Sequence, residues 1–132
     1  MNLDHARAAA FVDRYGQTWE TWDANGFVEL FGDDVVYVAH PEEVVVGREA
    51  LSRYLRKEQT DQGAVTVRMG KPIADRDQVV AEFWVTATNR GEEATIAGCF
   101  IARLDQDGHC NHFREYWFDI EGHTDPIEGW GE

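Results

Sequence analysis

The sequence contains few cysteines and few basic residues. Its 132 residues include 2 Cys, and 12 Lys and Arg stand against 25 Asp and Glu, which gives a formal net charge of −13. Phosphate binding requires clustered Lys and Arg, so this balance argues against nucleic acid or an anionic membrane as a partner. Two cysteines do not make the framework of a disulfide-rich secreted domain, and we expect free thiols.

Long apolar runs and familiar metal or phosphate motifs are also missing. No stretch approaches a membrane-spanning helix, and Asp4, His5 and Arg7 interrupt the opening segment in a way untypical of signal peptides. There is no HExxH helix, Gly-rich phosphate loop or Gly-x-Ser-x-Gly elbow. His109 and His112 are predicted to point to opposite faces of one strand. We therefore expect a cytoplasmic protein without metal or cofactor.

Apolar and aromatic residues are abundant instead. The sequence is 43% hydrophobic and contains 5 Trp, 4 Tyr and 7 Phe, which is enough for the core of one ordinary domain. We predict a single domain over residues 1–132, with its core over about 4–120 and an irregular tail over 121–132.

Helical periodicity is confined to the first half of the chain. A first helix is predicted over residues 4–22, with Asp4 as its N-cap, because large aromatics recur at spacings of four, four and three: Phe11, Tyr15, Trp19 and Trp22. "DANG" is predicted to break this helix. A short second helix is expected over 27–31 and a third over 47–59.

The remaining segments read as strands joined by turn residues. Short strands are predicted over 35–40 and 44–46, and four long antiparallel strands follow at 64–70, 78–88, 93–104 and 109–120. This order predicts an α+β architecture, in which the helices pack on one face of a curved antiparallel sheet.

Several strings in this order resemble the nuclear transport factor 2-like superfamily, in particular its SnoaL-like (polyketide cyclase-like) members. They are the aromatic first helix, "LFGDDVVYVAHP", "VGREAL" and the final-strand string "FREYWFD". The resemblance covers about residues 4–120. It implies a cone-shaped sheet whose concave face and helices enclose a pocket, and a convex face that mediates dimerisation. The superfamily includes isomerases, cyclases, hydrolases, dehydratases and non-catalytic binding modules.

Two hairpin turns predict which side chains face the pocket. A two-residue "DG" turn before the last strand places Phe100 opposite Glu115, and an "RG" turn places Phe83 opposite Gly98. Both registers put the same, almost entirely apolar set on one face: Ala81, Phe83, Val85, Ile96, Gly98, Phe100, Phe113, Glu115 and Trp117.

The opposite face mixes polar and aromatic residues and is predicted to be the convex one. We expect a homodimer through this face, with Trp84, His112, Arg114 and Tyr116 as contact residues. The same register pairs Cys99 with Tyr116 and Cys110 with Asp105. Cys99 and Cys110 are therefore too far apart along the ladder to form a disulfide.

Glu115 is the carboxylate that the register places among apolar side chains. Loss of solvation raises the pKa of such a group and makes it a competent general acid or base. The alternative is structural, with Glu115 in a salt bridge to Arg14 or Arg48, or hydrogen-bonded to the first helices.

Two further polar residues and a set of aromatics complete the candidate site. Tyr37 faces inwards on the first strand and is suited to donate a hydrogen bond to a developing oxyanion. His40 ends that strand at the expected mouth of the cone. The alternatives are a core role for Tyr37 and a loop role for His40. Substrate-binding candidates, which are otherwise core residues, are Tyr15, Trp19, Trp22, Phe83, Phe100, Phe113 and Trp117.

Limonene epoxide hydrolases, within the same superfamily, offer a comparison. Their final strand has an Arg-Asp-Tyr-Phe string similar to "REYW" here, which matches Glu115 to a catalytic acid and Tyr37 to a water-positioning Tyr. This sequence departs from the pattern at Ala39, Phe83 and Val85, where Asn, Arg and a second Asp are expected. Epoxide hydrolysis through that acid pair is therefore the least favoured activity.

We predict a cofactor-free isomerase, cyclase or dehydratase acting on a small, apolar or aromatic substrate. Glu115 would transfer the proton, and Tyr37 or His40 would polarise an oxygen. The alternative is a non-catalytic ligand-binding or dimerisation module of the same fold.

Overall fold

The structure, a computed structural model, describes residues 5–132. Its elements in chain order are α1 His5–Glu20, α2 Ala24–Val28, β1 Phe31–His40, β2 Glu43–Val46, α3 Arg48–Asp61, β3 Gln62–Met69, β4 Ile73–Asp75, β5 Gln78–Asn89, β6 Glu92–Leu104 and β7 Cys110–Glu121. The predicted N-cap Asp4 lies outside the described residues. Within the described part, no helix has the length and apolar character needed to cross a membrane.

The second helix lies earlier in the chain than predicted. "DANG" begins α2 instead of only breaking α1, because the Asp23 carboxylate accepts a 3.0 Å hydrogen bond from the Gly26 N–H and caps the new helix. Phe31, predicted to end that helix, instead opens β1 and is fully buried.

The strands form one curved, unclosed sheet, which confirms the predicted α+β class with a curved sheet. Its order is β2-β1-β7-β6-β5-β3, and the short unpredicted strand β4 pairs with β5. The sheet is not entirely antiparallel, since β1 runs parallel to β7. This pairing brings Tyr37, which lines the cavity described below, beside Phe113.

The register predicted for the pairs β5–β6 and β6–β7 is confirmed over nearly their whole length. Phe100 lies opposite Glu115, and Phe83 opposite Gly98. The "DG" hairpin differs from the simple two-residue turn, because a register shift makes Leu104, not Asp105, the partner of Cys110. Both cysteines are free, as expected.

Gly98 permits the close approach of β6 and β7. A Cβ at this position would overlap the carbonyl oxygen of Tyr116 and lie 2.7 Å from the Trp117 Cα. Any side chain at Gly98 therefore has to push β6 away from β7. Glu115 lies on β7, two residues before Trp117, the partner of Gly98.

The core lies between the concave face of the sheet and the helices. Tyr15 of α1 contacts five aromatic rings at centroid distances from 4.7 to 6.3 Å: Trp19, Phe27, Phe83, Phe100 and Phe113. Aromatic packing of this kind stabilises the fold and fixes the position of α1 over the sheet.

The C-terminal tail packs across the convex face. The Trp130 ring lies 6.0 Å from the Trp84 ring, and the Arg68 guanidinium lies 5.1 Å from the Trp130 ring centroid. The Trp84 indole N–H donates to the Thr124 carbonyl at 2.8 Å. Trp130 therefore anchors the tail.

Candidate active site

A cavity of about 150 Å³ opens between the helices and the concave face. Its walls are mainly aromatic, with contributions from the helices and the sheet: Tyr15, Trp19, Trp22, Phe27, Tyr37, Tyr54, Phe83 and Trp117. Polar atoms come from a second set of lining residues: Thr18, Asp23, Glu58, Gln62, Asn89, Glu115 and Asp119. Aromatic walls with few polar groups are typical of small-molecule sites.

Glu115 is held in this cavity by a residue of the first helix. The Tyr15 hydroxyl donates a hydrogen bond to Glu115 Oε2 at 3.2 Å. Tyr15 is itself 1% exposed and wedged among aromatic rings, so it has little freedom to move. The contact forms because Glu115 on β7 and Tyr15 on α1 both point into the space between the sheet and the helices.

Burial raises the pKa of Glu115 to about 8. Loss of solvation is the largest cause; the Tyr15 hydrogen bond opposes it, and the nearby charges of Glu58 and Glu43 reinforce it. Protein atoms surround the carboxyl group, yet the residue keeps some accessible surface through the cavity. Near neutral pH this carboxyl group is therefore mostly protonated and still able to lose its proton.

Glu115 makes no ion pair within residues 5–132, which argues against the predicted salt bridge. Arg48 instead donates to the Phe31 carbonyl at 2.6 Å and pairs with Asp33 at 3.5 Å. Arg14 is exposed on the outer side of α1. The counter-charge that would lower the pKa of Glu115 is thus missing from this part of the chain.

Tyr37 and Tyr54 line the cavity beside Glu115. Burial, and secondly the charge of Glu115, raise the pKa of both phenols, so both keep their protons at neutral pH. Neither hydroxyl has a hydrogen-bond partner within the described chain. Tyr37 is 3% exposed and stacks on Phe113 at 4.8 Å, which fixes its ring. Its hydroxyl is therefore an available donor in a rigid position.

Acidic residues surround the opening of the cavity. Asp23 and Asp119 are exposed, and Glu58 is half-buried. Burial and the charges of Glu43 and Asp61 raise the pKa of Glu58. The lining residues in the described chain include no Lys, Arg or His.

The structure brings seven of the predicted site residues to this cavity and leaves three outside it. Those that line it are Tyr15, Trp19, Trp22, Tyr37, Phe83, Glu115 and Trp117. Phe100 and Phe113 are fully buried and pack beneath the cavity instead of facing it.

His40 lies on the other side of the sheet. Strand alternation turns it outwards when Tyr37 faces in, and its exposed ring lies 6.0 Å from the Trp117 ring. Its Nδ1 accepts the Glu42 N–H at 3.3 Å. The structure therefore corrects its predicted place beside the substrate.

Sequence reasoning missed the contribution of α3 to the site. Tyr54 and Glu58 of α3, four residues apart, line the cavity, and Gln62, which follows the helix at the start of β3, lines it as well. That spacing was a usable signal, because residues four apart share one face of a helix. Gln62 also accepts the Trp19 indole N–H at 2.9 Å, which joins the start of β3 to α1.

Outside the cavity, one acidic group has the spacing of metal ligands. Asp105, Asp107 and His109 place possible ligand atoms within 4.8 Å of one another at the β6–β7 turn. Asp105 Oδ1 already accepts the backbone N–H groups of Asp107 and His109, at 2.9 and 3.0 Å. Closure of the turn accounts for this arrangement.

Comparison with known proteins gives a match to one protein family. Residues 12–113 match the SnoaL-like domain. No curated protein matches the chain significantly.

Several solved structures share the fold of this chain. A Mycobacterium tuberculosis LEH-like epoxide hydrolase is 21% identical, with a TM-score of 0.73 over 86% of this chain and 84% of that one. SalBIII, described as an epoxide hydrolase/cyclase-like enzyme in pyran ring formation of the polyether salinomycin, is 20% identical, with a TM-score of 0.78 over 89% and 98%. A hypothetical protein with a ketosteroid isomerase-like fold from Catenulispora acidiphila, in complex with trimethylamine, is 20% identical, with a TM-score of 0.73 over 80% and 83%. At these identities the likeness shows the fold.

Proposed function

The chain belongs to the SnoaL-like domain family, and from this premise we propose a cofactor-free enzyme that isomerises, cyclises or dehydrates a small, largely apolar substrate. General acid–base catalysis by Glu115 would carry the reaction. The observation that supports this most is the Tyr15–Glu115 pair, a fixed carboxyl group of raised pKa in an aromatic cavity. A pKa near the working pH is what proton transfer in both directions requires.

The proposed chemistry begins with proton removal from a carbon atom next to a carbonyl group. The Glu115 carboxylate takes the proton, and the electron pair of the C–H bond forms a C=C bond as charge moves to the carbonyl oxygen. The Tyr37 hydroxyl donates to that oxygen and stabilises the charge. Protonated Glu115 then returns the proton to the same or another carbon, or to a leaving oxygen.

The size of the cavity limits the substrate. Its volume of about 150 Å³ is below the roughly 300–1,000 Å³ of most ligand pockets. A cavity of about 150 Å³ holds one benzene molecule. We therefore propose a substrate whose buried part is about one six-membered ring.

Epoxide hydrolysis is less well supported, although an epoxide hydrolase shares the fold. Phe83 and Val85, at the positions where the resemblance leads one to expect Arg and a second Asp, are 1% and 0% exposed. The lining of the described cavity contains no arginine to join two acids.

The small cavity volume favours one rival, a non-catalytic binding module. Deuterium exchange separates the two. In D2O, the protein should speed deuterium incorporation at the carbons beside the carbonyl of cyclohexanone, followed by NMR. Glu115→Gln should reduce this acceleration by at least about 100-fold. Glu82→Gln, exposed on the opposite face of the sheet, is the matched control and should leave the rate unchanged. Equal exchange by wild type and Glu115→Gln would reject the enzyme hypothesis.

We further propose that the convex face forms a homodimer. Tyr116 and Phe118 of β7 are 51% and 77% exposed, and Ile127 of the tail is 81% exposed. Large apolar side chains clustered on one face are typical of protein interfaces. His112 and Arg114 lie on the same strand, while Trp84 is already partly covered by Trp130.

A further inference from the structure

Trp22 occupies a backbone position that normally belongs to glycine. It lies two residues after Glu20, the last residue of α1, with a φ of 51° in the left-handed region. The Trp22 N–H bonds the Trp19 carbonyl at 3.0 Å, and the Asp23 N–H bonds the Thr18 carbonyl at 2.9 Å. These are the two hydrogen bonds of a Schellman motif, whose left-handed residue is usually Gly. A tryptophan here is unfavourable for the backbone, which points to a role for its side chain.

The indole N–H of Trp22 has no hydrogen-bond partner among residues 5–132. Among the buried side-chain nitrogen and oxygen atoms of residues 5–132, Trp22 Nε1 is the one without an acceptor. Three other indole N–H groups each donate at 2.8 to 2.9 Å: Trp19, Trp84 and Trp117. Buried donors are nearly always paired, so this exception requires an explanation.

The position of Trp22 supplies that explanation. Trp22 lines the same cavity as Glu115, from the junction of α1 and α2, whereas Glu115 belongs to the sheet. An unpaired donor in the wall of a ligand cavity is satisfied when the ligand brings the acceptor. We propose that the Trp22 indole N–H donates a hydrogen bond to a carbonyl or ether oxygen of the substrate and thereby positions it.

The charges of the cavity narrow the substrate class further. Asp23, Glu58, Glu115 and Asp119 line it, and no basic residue of the described chain does. A carboxylate or phosphate group would meet these acids without a counter-charge, which disfavours organic acids. The substrate is therefore a ring-sized compound without an anionic group, whose oxygen accepts from Trp22.

This assignment depends on the proposed function in one respect: both take this cavity as the substrate-binding site. A carbonyl oxygen has two lone pairs, so Trp22 and Tyr37 are able to serve one oxygen or two different ones. Binding through Trp22 requires no proton transfer by Glu115. The assignment and the catalytic proposal therefore fail independently.

NMR of the indole N–H groups tests the assignment directly. The resonance that disappears in Trp22→Phe identifies Trp22. Titration of the 15N-labelled wild type with cyclohexanone should move that resonance downfield. Methylenecyclohexane, which has the same shape without the oxygen, should not move it downfield.

Affinity gives the second readout. Trp22→Phe should weaken cyclohexanone binding by roughly three- to tenfold, the usual range for one net hydrogen bond, with little change for methylenecyclohexane. Trp84→Phe is the matched control, because its N–H is bonded to Thr124 on the convex face, and should bind both compounds like wild type. The assignment is overturned if the Trp22 resonance does not move downfield, whether or not cyclohexanone binds. It is also overturned if wild type and Trp22→Phe bind cyclohexanone with equal affinity.

Discussion

Tyr15 and Glu115 are joined by a 3.2 Å hydrogen bond between residues 100 positions apart in the sequence. The bond connects the first helix to the last strand across the core. Because the Tyr15 hydroxyl donates, it favours the charged form of Glu115, against the burial that disfavours it. Tyr15 is therefore a positioning residue that also moderates the pKa of the proposed catalytic group.

Removal of the Tyr15 hydroxyl should raise the pKa of Glu115 further. Tyr15→Phe keeps the buried ring and its aromatic contacts, so the fold should persist. The titration of the Glu115 side-chain carbon, followed by 13C NMR, should move to higher pH than in wild type. Tyr54→Phe, at a cavity tyrosine whose hydroxyl makes no hydrogen bond in the described chain, is the control. An unchanged titration in Tyr15→Phe would show that the hydrogen bond does not act on the proton equilibrium.

Stability should depend on pH through Glu115. A folded-state pKa of about 8 lies above the value of an unfolded Glu, about 4.3, so the folded state holds a proton that the unfolded chain releases. The contribution of Glu115 to the free energy of unfolding is fully present below about pH 4.3 and is lost as pH rises to about 8.

Comparison with Glu115→Gln isolates this contribution from the general repulsion of an acidic protein. Between about pH 5 and about pH 9, the stability of wild type relative to Glu115→Gln should fall by up to a few kcal/mol. Urea unfolding at both pH values measures the difference. A difference between the two proteins that stays constant with pH would contradict the raised pKa.

Gly98 should be intolerant of any side chain. Gly98→Ala forces a Cβ against the Tyr116 carbonyl oxygen and should cost at least about 1–3 kcal/mol of stability. Gly32→Ala is a suitable control, because its Cβ would meet only the Cys110 carbonyl at 3.8 Å, an ordinary contact. Thermal unfolding of both variants measures the effect. Equal melting temperatures would mean that β6 and β7 separate easily.

The proposed dimer should depend on the exposed aromatics of β7. Phe118→Glu adds a charge to the convex face and should convert a dimer into a monomer. Light scattering after size-exclusion chromatography measures the mass. Gln59→Glu, at an exposed residue of α3 on the helical side of the sheet, is the control and should leave the mass unchanged. A monomeric wild-type protein would contradict the proposal.

The strand register was predictable because turns are local. The "RG" turn, with positive φ at both Arg90 and Gly91, fixes β5 against β6, and the inward position of Glu115 follows from the next hairpin. The parallel pairing of β1 with β7 was not predictable in this way, because no turn joins those strands.

The composition of the cavity was harder to predict than the register. Alternation places Phe100, Phe113 and Glu115 on one face, but only the position of the helices decides which of them lines a space and which is covered. Helical spacing predicts Trp22 as a cavity residue, but it does not reveal the left-handed backbone conformation in which Trp22 lies beyond the end of α1. The structure was needed to show that Glu115 meets a tyrosine and no arginine within the described chain.

The pH dependence of deuterium exchange tests the central claim most directly. With cyclohexanone as the probe, the acceleration by wild type should rise with pH along the ionisation of Glu115, with a midpoint near its pKa of about 8. Glu115→Gln should show only the uncatalysed rate at every pH. An acceleration that persists in Glu115→Gln would contradict the assignment of Glu115 as the proton-transfer group.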